Sequence, residues 1–246
     1  MKKNIYTITF LLIELVIVLN SCKKTVNVPP QSNTGNNNNI NAGNITSTTG
    51  AGVTFNGYAY KSIVLGNGQE WMSENLRTST YANGDSITNG TDGTWGSLAT
   101  ATGAWVHYNN DSLYENPYGK LYNWYAVEDP RNVCPTGWHV PSDAEWTILI
   151  DYLGGDSVAG GKMKSTQYWI SPNTEATNES GFSGLPGGMT FDGSTFDDIG
   201  GAGWWWSSSE YDTFYAWPRM LQHYFGNVYR GTFLKDLGYS IRCLKN

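Results

Sequence analysis

The stretch from Cys134 to Leu153, CPTGWHVPSDAEWTILIDYL, constrains the fold of this chain more than any other. Ser142 followed three residues later by Glu145 is a capping-box pattern: the hydroxyl can accept the N3 amide while the carboxylate reaches back to the N-cap amide. Trp146, Leu149, Ile150 and Leu153 then recur at i, i+3, i+4 and i+7, which predicts a short helix with one apolar stripe. Gly154 and Gly155 stop it.

The rest of the chain has a different texture. Its 246 residues include 29 Gly, 11 Trp and 16 Tyr but only 15 Lys plus Arg. That balance predicts many turns and short strands, with large aromatic rings in both core and surface. The formal net charge of −6 argues against a nucleic-acid partner, which calls for a dense basic patch.

Lys2 and Lys3 precede an apolar run from Ile5 to Leu19, a charged head on a segment short for a membrane span. Leu19-Asn20-Ser21-Cys22 follows and resembles the lipobox of bacterial lipoproteins, whose cysteine is diacylated and becomes the first mature residue. The pattern predicts a signal peptide over residues 1–21, lipidation of Cys22 and attachment to the cell outer membrane, with display at the cell surface as the further step. Glu14 inside the run departs from the usual pattern, and a transmembrane anchor or a plain secretory signal are the competing readings. Residues 22–52, dominated by Asn, Thr, Gly and Ser, predict a lipid-anchored flexible tether, and the folded domain is expected over 53–246.

Within that domain, Tyr58 to Leu65 and Glu70 to Met72 read as strands joined by a Gly66-Asn67-Gly68 hairpin turn. Residues 79–103 turn repeatedly and predict a long surface excursion. The aromatic segment 118–126 reads as a helix or a broad-faced strand, with a short helix preferred. The glycine-rich stretch from Asn178 to Met189 is expected to be irregular but packed around Phe182 and Leu185, and Phe191 to Gly203 to be turns. Trp204-Trp205-Trp206 opens the final sheet, with Trp204 and Trp206 on one face and Trp205 on the other. Phe214 to Leu221, Asn227 to Phe233 and Gly238 to Leu244 complete it.

Several residues are candidates for chemistry. With Cys22 carrying lipid, Cys134 and Cys243 form an even pair suited to a bridge in an oxidising compartment; two reduced buried cysteines are the alternative. A bridge would close a loop of about 110 residues, worth about 4–5 kcal/mol by chain entropy. His107, His139 and His223 are too scattered for a zinc site. Asp192, Asp197 and Asp198 offer carboxylates to Ca2+, yet their spacing lacks a full oxygen-ligand loop; a solvated acidic loop is the preferred reading and no cofactor is expected. Trp204 and Trp205 beside Glu210 and Arg219 are the candidate ligand-binding group, because indole faces stack on sugar rings while polar partners take the hydroxyls. The competing reading places two of the three tryptophans in the core. Arg219, Arg230 and Arg242 are expected to supply at least one fixed pair with a carboxylate or backbone oxygen. Asp197, Asp198, Glu210 and His223 are candidates for catalysis, but no spacing forces them together.

Motif by motif, the chain resembles the Fibrobacter succinogenes major paralogous domain: Gln69-Glu70-Trp71-Met72-Ser73-Glu74-Asn75-Leu76, Tyr118-Gly119-Lys120-Leu121-Tyr122-Asn123-Trp124, Cys134-Pro135-Thr136-Gly137-Trp138-His139, Gly181-Phe182-Ser183-Gly184-Leu185-Pro186, Trp205-Trp206-Ser207-Ser208-Ser209-Glu210 and Gly238-Tyr239-Ser240-Ile241-Arg242-Cys243. These motifs span roughly residues 54–245. The resemblance implies a secreted or lipid-anchored protein of the Bacteroidota or Fibrobacterota, with Cys134 and Cys243 bridged. It also implies an α+β, C-type-lectin-like fold: a short twisted antiparallel sheet, one or two helices, and long irregular Gly/Trp-rich loops. The calcium and sugar tripeptides of lectins are absent, and no exported cysteine remains for the chemistry of the related formylglycine-generating fold. The expected function is therefore a non-catalytic cell-envelope binding or adhesion domain, recognising glycan or an envelope protein. A structural component of a pilus or envelope assembly is the alternative, and a glycan-active enzyme ranks below both.

Overall fold

The computed structural model describes residues 45–97 and 99–246. The signal peptide expected over 1–21, lipidated Cys22 and most of the expected tether lie outside the described residues. Among the described residues no helix is long and apolar enough to cross a membrane.

In chain order the strands are β1 (Ser47–Thr49), β2 (Val53–Phe55), β3 (Tyr58–Tyr60), β4 (Ser62–Leu65), β5 (Glu70–Met72), β6 (Thr88–Asn89), β7 (Ala104–Val106), β8 (Leu121–Tyr122), β9 (Trp138–His139), β10 (Gly187–Thr190), β11 (Phe196–Ile199), β12 (Ala202–Glu210), β13 (Tyr215–Gln222), β14 (Tyr229–Arg230), β15 (Phe233–Leu234) and β16 (Leu244–Lys245). The helices are α1 (Glu115–Tyr118), α2 (Trp124–Glu128), α3 (Asp143–Tyr152) and α4 (Asp156–Met163). One sheet runs β1-β4-β5-β16-β9, a second runs β11-β10-β12-β13-β14 with β15 also on β13, and smaller sheets join β2-β3 and β6-β7-β8. Pairing is antiparallel except between β10 and β12 and between β6 and β7. The architecture is α+β, built from short, mainly antiparallel sheets and short helices.

The capping box forms as expected: the Ser142 amide donates to Glu145 Oε2 at 2.7 Å and the Glu145 amide donates to Ser142 Oγ at 3.3 Å. Trp146, Leu149, Ile150 and Leu153 are all buried. Their stripe meets Trp71 of β5, Leu244 of β16, Phe182, Trp205 of β12 and Leu221 of β13 in one core cluster. Trp146 lies 4.7 Å from Trp71 and 5.7 Å from Phe182, centroid to centroid. Removing an indole from such a core costs about 3–5 kcal/mol. Cys134 and Cys243 are joined by a buried disulfide, which fastens the lead-in to α3 onto the segment entering β16.

Four expectations need correction. Order begins before Val53: β1 pairs with β4 through Ser47↔Leu65, Thr48↔Val64 and Thr49↔Ile63, and the Thr46 amide donates to Tyr152 Oη at 2.9 Å. Backbone pairing at a sheet edge, not side-chain burial, orders these polar residues. The expected helix in 118–126 is split into α1, β8 and α2, since Gly119 sits at φ +79° with the Leu76 carbonyl where a Cβ would be. The segment expected to be irregular up to Met189 ends in β10, and the turns expected over 191–203 are interrupted by β11 and the start of β12. The last strand shrinks to β16, and Gly238 to Ser240 instead make isolated bridges with Thr190, Tyr122 and Trp205.

Candidate functional site

The alternation expected for Trp204 to Trp206 is realised, and all three indoles are buried. Trp205 faces the α3 core and donates its Nε1–H to Asn75 Oδ1 at 2.8 Å. On the opposite face Trp204 stacks on Tyr239, with centroids 5.0 Å apart and planes at 10°, and Trp206 donates to the Tyr122 carbonyl at 2.8 Å. Neither Trp204 nor Trp205 offers a ring face to a ligand, which corrects their reading as a stacking platform: the core claims both sides of the strand. Arg219 is also buried, donating from Nη1 to Asp143 Oδ1 at 2.7 Å and from Nη2 to the Asp143 carbonyl at 3.0 Å. Glu210 lies on the surface and accepts from Lys235 Nζ at 2.8 Å. The four residues thus do not converge on one site. The fixed arginine pairs do exist: Arg230 joins Arg219 on Asp143, while Arg242 donates to Asn75 Oδ1 and to the carbonyls of Phe182 and Ser183.

A groove of about 700 Å3 opens elsewhere, on the excursion 88–102 and two later segments. That volume suits a small ligand or one end of a larger one. Trp95, Phe191, Asp192 and Asp236 line it, together with the hydroxyl-bearing Thr88, Thr94, Ser97, Thr100 and Thr102.

Local sequence explains how these residues are held. Trp95 is buried in a cradle of glycines: a Cβ at Gly90, Gly193 or Gly238 would come within 2.6, 3.0 or 2.7 Å of its side chain. Its Nε1–H donates to the Asp236 carbonyl at 2.6 Å, joining positions 141 residues apart. Buried Asn123, the N-cap of α2, then fixes the loop: Nδ2 donates to the carbonyls of Trp95 at 2.7 Å and Thr102 at 2.9 Å, while Oδ1 accepts from the Ala104 amide at 2.9 Å. The β10–β11 turn closes through the Phe191 amide and the Thr195 carbonyl at 2.9 Å, which sets Phe191 and Asp192 at the groove.

The two carboxyl groups differ. Burial would raise Asp192, but hydrogen bonds from the Ser194 and Thr195 amides, at 2.9 and 2.7 Å, outweigh it and hold the group below the usual carboxylate range. Burial pushes the half-buried Asp236 carboxyl up instead. Asp192 is committed to its own turn and Asp197 Oδ1 accepts from the Asp198 amide at 2.8 Å, so two of the three aspartates suggested for Ca2+ serve local backbone. Among the described residues no group of three or more His, Cys, Asp or Glu side chains is placed to hold a metal ion.

Hydroxyls, carboxylate acceptors and aromatic surface in one concavity suit a polyhydroxylated ligand. Sequence reasoning missed Trp95, Phe191 and Asp236. The only signal was the density of Thr and Ser in 88–102 and the Asp236-Leu237-Gly238 lead into the terminal motif. No curated protein and no solved structure matches the chain. A family model described as the Fibrobacter succinogenes major domain matches residues 64–245, which take in β5, the disulfide, α3, the tryptophan strand and every residue lining the groove. On that match the chain belongs to the Fibrobacter succinogenes major domain family.

Proposed function

We propose that this protein is a non-catalytic cell-envelope binding domain of C-type-lectin-like architecture, anchored through a lipid on Cys22, that takes a neutral glycan in the Trp95 groove. The observation that carries the reading is the groove's composition: five hydroxyl-bearing side chains, two carboxylates and the partly exposed Phe191 ring, over a floor formed by buried Trp95. Each kind of group answers a part of a sugar, with hydroxyls and carboxylates exchanging hydrogen bonds and the Phe191 ring covering C–H faces. Carboxylates without a lining Lys or Arg disfavour an acidic sugar. The test is a glycan panel with the wild-type protein, Asp236→Asn and Phe191→Ala. Saturable binding of neutral glycans, weakened about tenfold or more in both variants, supports the reading; no glycan binding refutes it.

A glycan-active enzyme is the second reading, favoured by one observation: burial raises the Asp236 carboxyl beside a second carboxylate in the same groove. It ranks lower because a base or nucleophile needs a free carboxylate, whereas Asp192 Oδ1 already accepts three hydrogen bonds from Ser194 and Thr195. Release of reducing ends from a bound glycan, abolished in Asp236→Asn, would reverse the ranking. The assembly alternative draws on the exposed Tyr211, Phe214 and Tyr215 around the β12–β13 turn; cross-linking to a specific envelope protein that is lost in Phe214→Ser would favour it.

A further inference from the structure

Five aromatic rings run in series away from the groove. Phe196 and Tyr108 pack against the small core cluster that contains Trp95, so the series and the groove share that cluster. Successive centroids are 5.3 Å apart from Phe196 to Tyr108, 5.2 Å to Tyr114, 6.4 Å to Tyr118 and 6.0 Å to Tyr168. Asn110 Nδ2 donates to the Gly193 carbonyl at 3.0 Å, tying the turn after Tyr108 to the turn that carries Asp192. None of the five rings is fully buried.

Tyr168 is the telling member. It is 53% exposed and sits at φ +73°, a left-handed conformation that a bulky side chain rarely adopts. Its neighbours hold it there: the Trp169 indole donates to the Gly184 carbonyl at 3.0 Å and the Ile170 amide to the Gly200 carbonyl at 2.9 Å. A strained backbone that presents an aromatic ring to water gains little for the fold, and such strain concentrates where a ligand is met.

We infer that the aromatic series extends the groove, so that the protein binds the chain of a neutral polysaccharide and not only a short sugar terminus; this rests on the glycan reading of the groove. Tyrosine matches that occupant because each ring offers an apolar face to sugar C–H groups and a hydroxyl to their polar edges. Asp197 and Asp198 lie near Tyr108, which sets that end of the surface against an anionic polymer.

Calorimetric titration of the full-length protein with neutral β-linked glucose and N-acetylglucosamine disaccharides and hexasaccharides tests this, using Tyr168→Gly and Tyr118→Ala. Glycine removes the ring and takes the φ +73° conformation without strain, so Tyr168→Gly separates display from folding. The expected result is a hexasaccharide bound about tenfold tighter than the disaccharide, an advantage lost in both variants while disaccharide affinity and the thermal midpoint of Tyr168→Gly hold. Equal affinity for the two lengths, or hexasaccharide binding indifferent to both variants, overturns the extension while leaving the groove. Tighter binding of polygalacturonate than of any neutral chain overturns the choice of a neutral polymer. Binding of no oligosaccharide removes the groove reading and the extension together.

Discussion

The Asn123 side chain donates to the Trp95 carbonyl at 2.7 Å and holds the groove's floor residue against the first turn of α2. The same amide takes the Thr102 carbonyl and the Ala104 amide, so one buried side chain secures both ends of the loop that forms a wall. Asn123→Asp keeps the acceptor and loses both donors. Leaving two carbonyls short of partners is expected to lower stability by about 2–3 kcal/mol and to weaken glycan binding with it. Urea unfolding and titration on the same sample check both effects.

Asn75 plays a comparable part in the core. Its Oδ1 accepts from Trp205 Nε1 at 2.8 Å and Arg242 Nε at 3.0 Å, and its Nδ2 donates to the Tyr118 carbonyl at 2.9 Å. Burial lowers the Arg242 guanidinium to about 9, and among the described residues no carboxylate touches it; its charge rests on carbonyl and amide oxygens. Asn75→Ala strips one of them and leaves the Trp205 indole unpartnered. A loss of about 3 kcal/mol or more is expected in the urea midpoint, larger than for a typical surface substitution.

Asp143 supplies the pH dependence. Burial would raise its carboxyl, but the Arg230 and Arg219 guanidiniums outweigh that and hold it below its ordinary value. A carboxyl depressed in the folded state adds stability that is complete above the unfolded value, about 3.9, and is lost as pH falls through the folded one. Asp143→Asn should therefore be less stable than the wild type at neutral pH, by about 3 kcal/mol because Arg219 stays buried, and should show a shallower decline below about pH 4. Urea midpoints at neutral pH and at acid pH give the comparison; parallel declines would contradict it.

Gly160 decides between helix propensity and packing. In a free helix Gly→Ala gains about 1 kcal/mol. Here a Cβ would run into the Asn227 carbonyl, and one at Gly161 into the Glu175 carbonyl. Gly160→Ala is expected to destabilise by about 1–3 kcal/mol, the cost of overpacking. A raised thermal midpoint would show that the loop yields.

That pair of glycines also shows why parts of this fold were hidden from the sequence. The capping box, the α3 stripe and the Gly66-Asn67-Gly68 turn are legible because their partners lie within a few residues. In α4 the glycines weaken the helical signal, and the carbonyls that require them come from positions 175 and 227. The candidate site was hidden for the same reason. Trp95 and Asp236 meet across 141 residues, while the conspicuous Trp204-Trp205-Trp206 run is covered by Tyr239 and Phe233 on one face and by α3 on the other.

The most direct measurement follows the tryptophan indole N–H resonances of the 15N-labelled protein as a neutral oligosaccharide is added, with Trp95 assigned through Trp95→Phe. The Trp95 N–H, bonded to the Asp236 carbonyl at the groove, is expected to shift saturably while the Trp205 N–H, bonded to Asn75 in the core, stays in place. An unmoved Trp95 resonance across the panel, or a response at Trp205 without one at Trp95, would contradict a glycan site in this groove.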